Sequence, residues 1–107
     1  MKFGIFYEHQ LPRPWDDRSE VQLIQDALEQ VELADRLGID VVWEVEHHFL
    51  EEYSHSSAPE MMMAALSQRT KNIRLGHGIV QLTTNHPARV AERVSTLDLL
   101  SHGRDAG

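Results

Sequence analysis

A chain of 107 residues allows one small domain with a modest core, and 41% hydrophobic with 25% charged residues is a globular composition rather than a disordered one. Ten Lys and Arg against seventeen Asp and Glu give a formal charge of −7, which speaks against a nucleic-acid partner because counterion release needs a basic face. Cysteine is absent, which removes disulfides, thiolate metal sites and thiol nucleophiles. No apolar run approaches membrane-spanning length and the first residues are too few for a signal sequence, so no membrane role is expected and the cytoplasm is the expected location.

Lys2 to Phe6 reads as a first strand, followed by the loop Tyr7 to Asp17. That loop is rich in Tyr, His and Trp and is stiffened by Pro12 and Pro14, so it suits ligand binding as well as it suits a packed, solvated connection. Ser19 and Gln22 have the spacing of a capping box, which predicts a helix start. Leu23, Ala27, Val31 and Ala34 then recur at helical spacing, supported by Ile24 and Leu28, and Gly38 supplies the positive-φ stop.

Strand two is expected from Ile39 to Val45. It contains Val41, Val42, Trp43 and Val45 and runs directly into Glu46, His47 and His48. An apolar strand that ends in titratable groups is how parallel α/β folds build active sites. A polar loop with a third histidine, His55, follows. Ser57 and Glu60 again have capping-box spacing with Pro59 in the first turn, and Met61, Met62, Ala65 and Leu66 form the expected buried stripe of helix two. Its methionines read as core filler. Ile73 to Val80 is the third strand; Gly76 and Gly78 within it suggest a bulge or a ligand close to the backbone. The loop Gln81 to His86 leads to Pro87 and a third helix with an apolar face of Val90, Val94, Leu97 and Leu100, ended by Gly103. Arg104 to Gly107 is neither apolar nor strand-like.

Strand and helix alternate three times, which predicts a parallel sheet with right-handed crossovers. Such units open either a doubly wound sheet or a (β/α)₈ barrel. The G-x-G-x-x-G fingerprint after strand one is missing, so the α/β reading preferred is the first three βα units of a TIM barrel.

Four stretches carry a family likeness: Met1-Lys2-Phe3-Gly4-Ile5-Phe6, Trp43-Glu44-Val45-Glu46-His47-His48-Phe49, Ile73 to Val80, and Asn85-His86-Pro87-Ala88-Arg89-Val90-Ala91-Glu92-Arg93. In this order they resemble the bacterial luciferase-like, flavin-dependent monooxygenases, over roughly residues 1–104. The resemblance implies a barrel with flavin across the strand carboxyl ends, usually reduced FMN, or a deazaflavin in one branch. It implies oxidation of a small organic substrate with O₂, a flavin reductase as supplier, and a homo-oligomer. The catalytic role falls on His47, with Glu46 orienting that imidazole or the flavin ring; imidazole chemistry near neutrality agrees. Val45, His77, Gly78 and Ile79 fall on the flavin side, with a non-prolyl cis peptide expected at Gly78-Ile79. Tyr7, Glu8, His9 and His48 fall on the substrate side, and His86 is expected as a helix cap. The family's phosphate-binding residues lie further along than this chain extends.

A (β/α)₈ barrel needs about 250 residues, so a part of a longer enzyme is the preferred reading over an assembly of copies. Two rivals come from other classes. One is a metal-dependent barrel hydrolase using Glu46, His47, His48 and His9 as ligands, against which stands the alternation of adjacent strand residues between faces. The other is a non-catalytic, subunit-like flavin-binding barrel.

Overall fold

A computed structural model describes all of residues 1–107. Strands β1 (Gly4–Tyr7), β2 (Val41–Glu44) and β3 (Arg74–His77) alternate with helices α1 (Ser19–Arg36), α2 (Pro59–Arg69) and α3 (Pro87–Leu100). All pairings are parallel, in the order β1-β2-β3, with Tyr7 opposite Glu44 and Glu44 opposite His77. Each new strand lies beyond the last, as in the opening units of a barrel.

Strand alternation divides the sheet into two faces. Val42 and Leu75 point to the helices and join Ala27, Leu28, Val31 and Ala34 of α1, Met62, Met63 and Leu66 of α2, and Leu97 of α3 in the core. The opposite face is open: Phe6 is 57% exposed. On that face the Trp43 indole lies across Gly76, where a Cβ would stand 2.5 Å from two ring carbons.

The helix boundaries follow the sequence, but three local devices differ. Neither capping box forms: the caps are Arg18 and Ala58, without side-chain hydrogen bonds. Ser19 instead donates to Asp16 Oδ1 at 3.2 Å and accepts from the Asp16 backbone N–H at 3.0 Å, closing a turn ahead of the helix. The buried stripe of α2 is Pro59, Met62, Met63, Leu66 and Ser67, leaving Met61 70% exposed. The helix is thus rotated by one residue, about 100°, from the expected face. In α3 only Leu97 is fully buried, and Leu100 is 42% exposed. The strands are shorter than the apolar runs that contain them. Gly38 and Gly103 do take positive φ at the helix ends, +87° and +82°.

The last residues overturn the expectation of an unstructured tail. Leu75 donates to the Arg104 carbonyl at 2.9 Å and accepts from the Ala106 N–H at 2.7 Å, so Asp105 forms a parallel bridge beside β3. Arg104 makes this possible by filling the gap between the carboxyl ends of α2 and α3. Its Nε donates to Ser101 O, Nη1 to Thr70 Oγ1 and Ile73 O, and Nη2 to Ser67 O and Thr70 O, all between 2.8 and 3.1 Å.

Candidate active site

The carboxyl ends of β1 and β2 meet in an exchange of charged groups. After Tyr7, strand one delivers Glu8 and His9; after Trp43, strand two delivers Glu44, Glu46, His47 and His48. His9 Nε2 lies 2.5 Å from Glu44 Oε2, with side-chain exposures of 2% and 0%. Burial pushes the Glu44 carboxyl above the usual carboxylate range, against the hydrogen bond and charge of His9. Glu44 Oε1 and His9 Nδ1 have no further partner.

The second pair runs the other way across the same strands. His47 Nε2 lies 3.4 Å from Glu8 Oε2, an ion-pair distance without hydrogen-bond alignment, and both side chains are partly open at 31% and 21%. Tyr53 meets the His47 ring edge-on at 5.7 Å, and the His47 backbone N–H donates to Ser56 O at 2.8 Å. The loops are joined by further bonds: Ser54 Oγ donates to Glu8 O at 2.6 Å, His55 N to His9 O at 2.9 Å, and Leu11 N to Glu52 O at 2.9 Å. His47 therefore sits on two loops that hold each other.

Glu46 does not orient His47, a correction to the expected role. The chain has left the sheet by then, and the Glu46 carboxylate turns toward the loop after β3. His48 Nε2 lies 2.8 Å from Glu46 Oε1. Asn85 Nδ2 donates to the same oxygen at 2.8 Å, and the Gln81 N–H donates to Oε2 at 3.2 Å. Burial alone would push this carboxyl up, but the bonds from His48, Asn85 and Gln81 and the charge of His48 outweigh it and hold the group below its usual range.

The remaining expected site residues divide between the two faces. Gly78 and Ile79 lie on the open face, joined by a cis peptide, with Ile79 72% exposed. Val45 is buried, outside the cluster packed on the helices, and its carbonyl accepts from Ser56 Oγ at 2.6 Å. His77 does not share the open face with Gly78 and Ile79. Its place between Gly76 and Gly78 turns it to the helix side, where it lines a cleft with Glu60, Ala64, Arg93 and Leu97, and burial holds its imidazole below the usual histidine range. Tyr7 likewise faces the helices: it stacks on His9 at 5.2 Å and donates to Gln30 Oε1 at 2.8 Å. His86 caps α3, accepting from the Ala88 N–H at 3.1 Å.

Sequence reasoning passed over Gln81, Thr84 and Asn85, which supply much of the Glu46 shell. The available signal was position, because the strand order 1-2-3 places the loop after β3 beside the end of β2. It also passed over Glu44, hidden inside an apolar run. A hollow of about 290 Å³ on the helix side, lined by His9, Ile24, Leu28, His55, Met61 and Met62 among others, is reached by neither His47 nor His48.

Sheet order and the helix-covered face define a segment of a β/α-barrel, with a carboxylate–imidazole cluster at the strand carboxyl ends. The match to the family model described as luciferase-like monooxygenase covers residues 1–105, and the chain belongs to that family. It is 46% identical to limonene 1,2-monooxygenase of Rhodococcus erythropolis over 95% of its own length and 25% of that protein's. Among solved structures, the FMN complex of the oxygenating constituent of 3,6-diketocamphane monooxygenase from Pseudomonas putida superposes with a TM-score of 0.85. That match is at 30% identity and covers 98% of this chain and 28% of the other. An F420-dependent secondary alcohol dehydrogenase bound to an F420–acetone adduct superposes at 0.74, with 27% identity and coverage of 97% and 29%. The chain thus spans about a quarter of the length of these relatives. No helix is long and apolar enough to cross a membrane.

Proposed function

We propose that this chain forms the first three βα units of a flavin-dependent monooxygenase that uses reduced FMN and O₂ to oxidise a small organic substrate. The observation that carries the reading is the partly open Glu8–His47 pair, set at the strand ends of a sheet whose other face is bare. That face suits a flat ring. Phe6 and Ile79 are exposed on it, and Gly78 keeps the backbone bare where a Cβ would stand 3.3 Å from Phe6 and 3.5 Å from Trp43.

When bound, the flavin supplies the electrons that reduce O₂ and make oxygen transfer feasible. The chain's own residues do the rest. Phe6, Gly78 and Ile79 would seat the ring, with Val45 buried at the adjoining end of β2. His47 takes and returns a proton at Nε2, held toward Glu8 and against Tyr53. Glu8 and His48 line the substrate side, whereas Tyr7 and His9 support the site from the helix face. Relatives named for limonene and diketocamphane support a small organic substrate. The relative from Pseudomonas putida is the oxygenating constituent of its monooxygenase, which favours a separate flavin reductase as supplier here, working in the same cytoplasm. A second copy covering the exposed Met61 and Leu99 would account for a homo-oligomer.

Substitution of His47 tests the reading. The chain, or the longer protein that contains it, is supplied with chemically reduced FMN, O₂ and limonene or a bicyclic ketone. In His47→Ala, product formation is expected to fall about 10²–10⁴-fold, the worth of a positioned acid–base group, while FMN fluorescence quenching on titration stays saturable. Product formation at the parent rate in the variant would remove His47 from the chemistry. A deazaflavin-dependent oxidoreductase is the second reading, favoured by the F420-dependent neighbour; binding of F420 in preference to FMN in the same titration would select it.

A further inference from the structure

Glu46 sits at the centre of a chain of contacts that leaves the candidate site and ends on two helices. His48 Nε2 meets Oε1 at 2.8 Å, and because a carboxylate only accepts, His48 is the donor. Asn85 Nδ2 donates to the same oxygen at 2.8 Å. The amide is in turn fixed from behind: Arg93 Nη1 donates to Asn85 Oδ1 at 2.8 Å, which decides which end of the amide faces Glu46. Arg93 is steadied by Glu60 of α2, with Nη1 3.9 Å from Oε1. Gln81 grips the Glu46 residue twice, through its N–H to Oε2 at 3.2 Å and its Nε2 to the Glu46 carbonyl at 2.7 Å.

We propose that Asn85 and Arg93 are positioning residues for the His48 imidazole: Arg93 sets the Asn85 amide, the amide fixes the Glu46 carboxylate, and the carboxylate holds His48 by Nε2–H. Glu46 is then an anchored anion rather than a proton carrier, since both its oxygens are occupied by donors it cannot readily exchange. The proposal rests on reading the end of β2 as part of an active site, but its geometry is independent of which flavin or substrate is used. It also accounts for Arg93, on the half-buried side of α3, being turned to the loop rather than to solvent. The charged or titratable groups around Glu46 are His48 from its own loop, Glu60 of α2, His77 of β3 and Arg93 of α3. Asn85 is the one neutral link between Arg93 and the carboxylate.

The test uses the full 107-residue chain without flavin, labelled for NMR, with Asn85→Ala and Arg93→Gln variants. Two quantities are read: the titration of the Glu46 side-chain carboxyl by its ¹³C shift, and solvent exchange of the His48 Nε2 proton. In Asn85→Ala the Glu46 midpoint is expected to move upward, because one bond to the carboxylate is lost while burial stays. The His48 proton is expected to exchange about tenfold faster, the scale of one charged hydrogen bond. Arg93→Gln should move both readings in the same direction by less, and unchanged backbone spectra away from residues 46–48 and 81–93 show that the fold persists. If Asn85→Ala does not fold, Arg93→Gln decides alone. A folded variant in which neither the Glu46 titration nor the His48 proton changes overturns the proposal. Since neither reading needs flavin, failure of the longer protein to bind FMN would refute the functional reading and leave this result standing.

Discussion

Replacing Arg104 with methionine removes the guanidinium and keeps much of the aliphatic volume. All five of its N–H donors are engaged, four on backbone carbonyls and one on the Thr70 hydroxyl, between 2.8 and 3.1 Å. A net value of about 1 kcal/mol per bond, less about 2 kcal/mol for ordering so long a side chain, leaves roughly 3 kcal/mol for the residue. In a domain of this size that corresponds to a fall in Tm of about 12–24 °C. Urea denaturation followed by far-UV circular dichroism measures it, with Arg104→Lys as companion. Lysine keeps the charge but lacks the planar fork that reaches α2, β3 and α3 together, so it should recover less than half of the loss. An Arg104→Met chain within 0.5 kcal/mol of the parent, about the noise of a neutral surface substitution, would refute the reasoning. Full recovery in Arg104→Lys would show that charge alone matters.

Two further substitutions test the packing around β3. Asp35 accepts the backbone N–H groups of Lys71, Asn72 and Ile73 at 2.7–2.9 Å. Burial pushes its carboxyl up, yet those three bonds and the charge of Arg104 outweigh it and hold it below the usual range. A lowered folded value means that the stabilisation is complete above the ordinary aspartate value of about 3.9 and is lost as pH falls through the lower folded one. Asp35→Asn should therefore lose about 1–3 kcal/mol at pH 7 and show a flatter acid limb in urea midpoints; an acid limb as steep as the parent's would count against it. Gly76→Ala places a Cβ 2.5 Å from Trp43 Cε3 and Cζ3, so a loss of about 1–3 kcal/mol with a shift in tryptophan emission is expected, and unchanged emission and midpoint would contradict the close contact.

Much of this fold was legible because its periods are strong. Ala27, Val31 and Ala34 recur at helical spacing and are buried, and the two glycines that end α1 and α3 take the backbone conformation expected of them. The cis peptide at Gly78-Ile79 and the His86 cap also stand where the family resemblance put them. The capping boxes failed because a serine at the right spacing had a nearer partner, Asp16 in the first case. The stripe of α2 failed because Met61, Met62 and Met63 are consecutive, so composition cannot fix which two face inward. The Arg104 segment failed for a different reason. Arg104, Asp105 and Ala106 have little strand propensity of their own, and their pairing with Leu75 depends on a guanidinium that finds its acceptors only after α2 and α3 have docked.

The candidate site was legible in position and misread in its connections, and the reason lies in the pairing of β1 with β2. Each strand end offers a glutamate and a histidine, and sequence gives no rule for which meets which. The structure crosses them: Glu8 of the first reaches His47 of the second, and His9 of the first reaches Glu44 of the second. The same chemical pair then does two jobs, separated by exposure. At 2% and 0% exposure the His9–Glu44 pair is shut away from the open face, and a buried pair of this kind fixes the register of the strand ends at a desolvation cost. At 31% and 21% the Glu8–His47 pair is open, as the proton exchange proposed for His47 requires. The buried pair ties the two strand ends together, and the open one is the pair proposed to react.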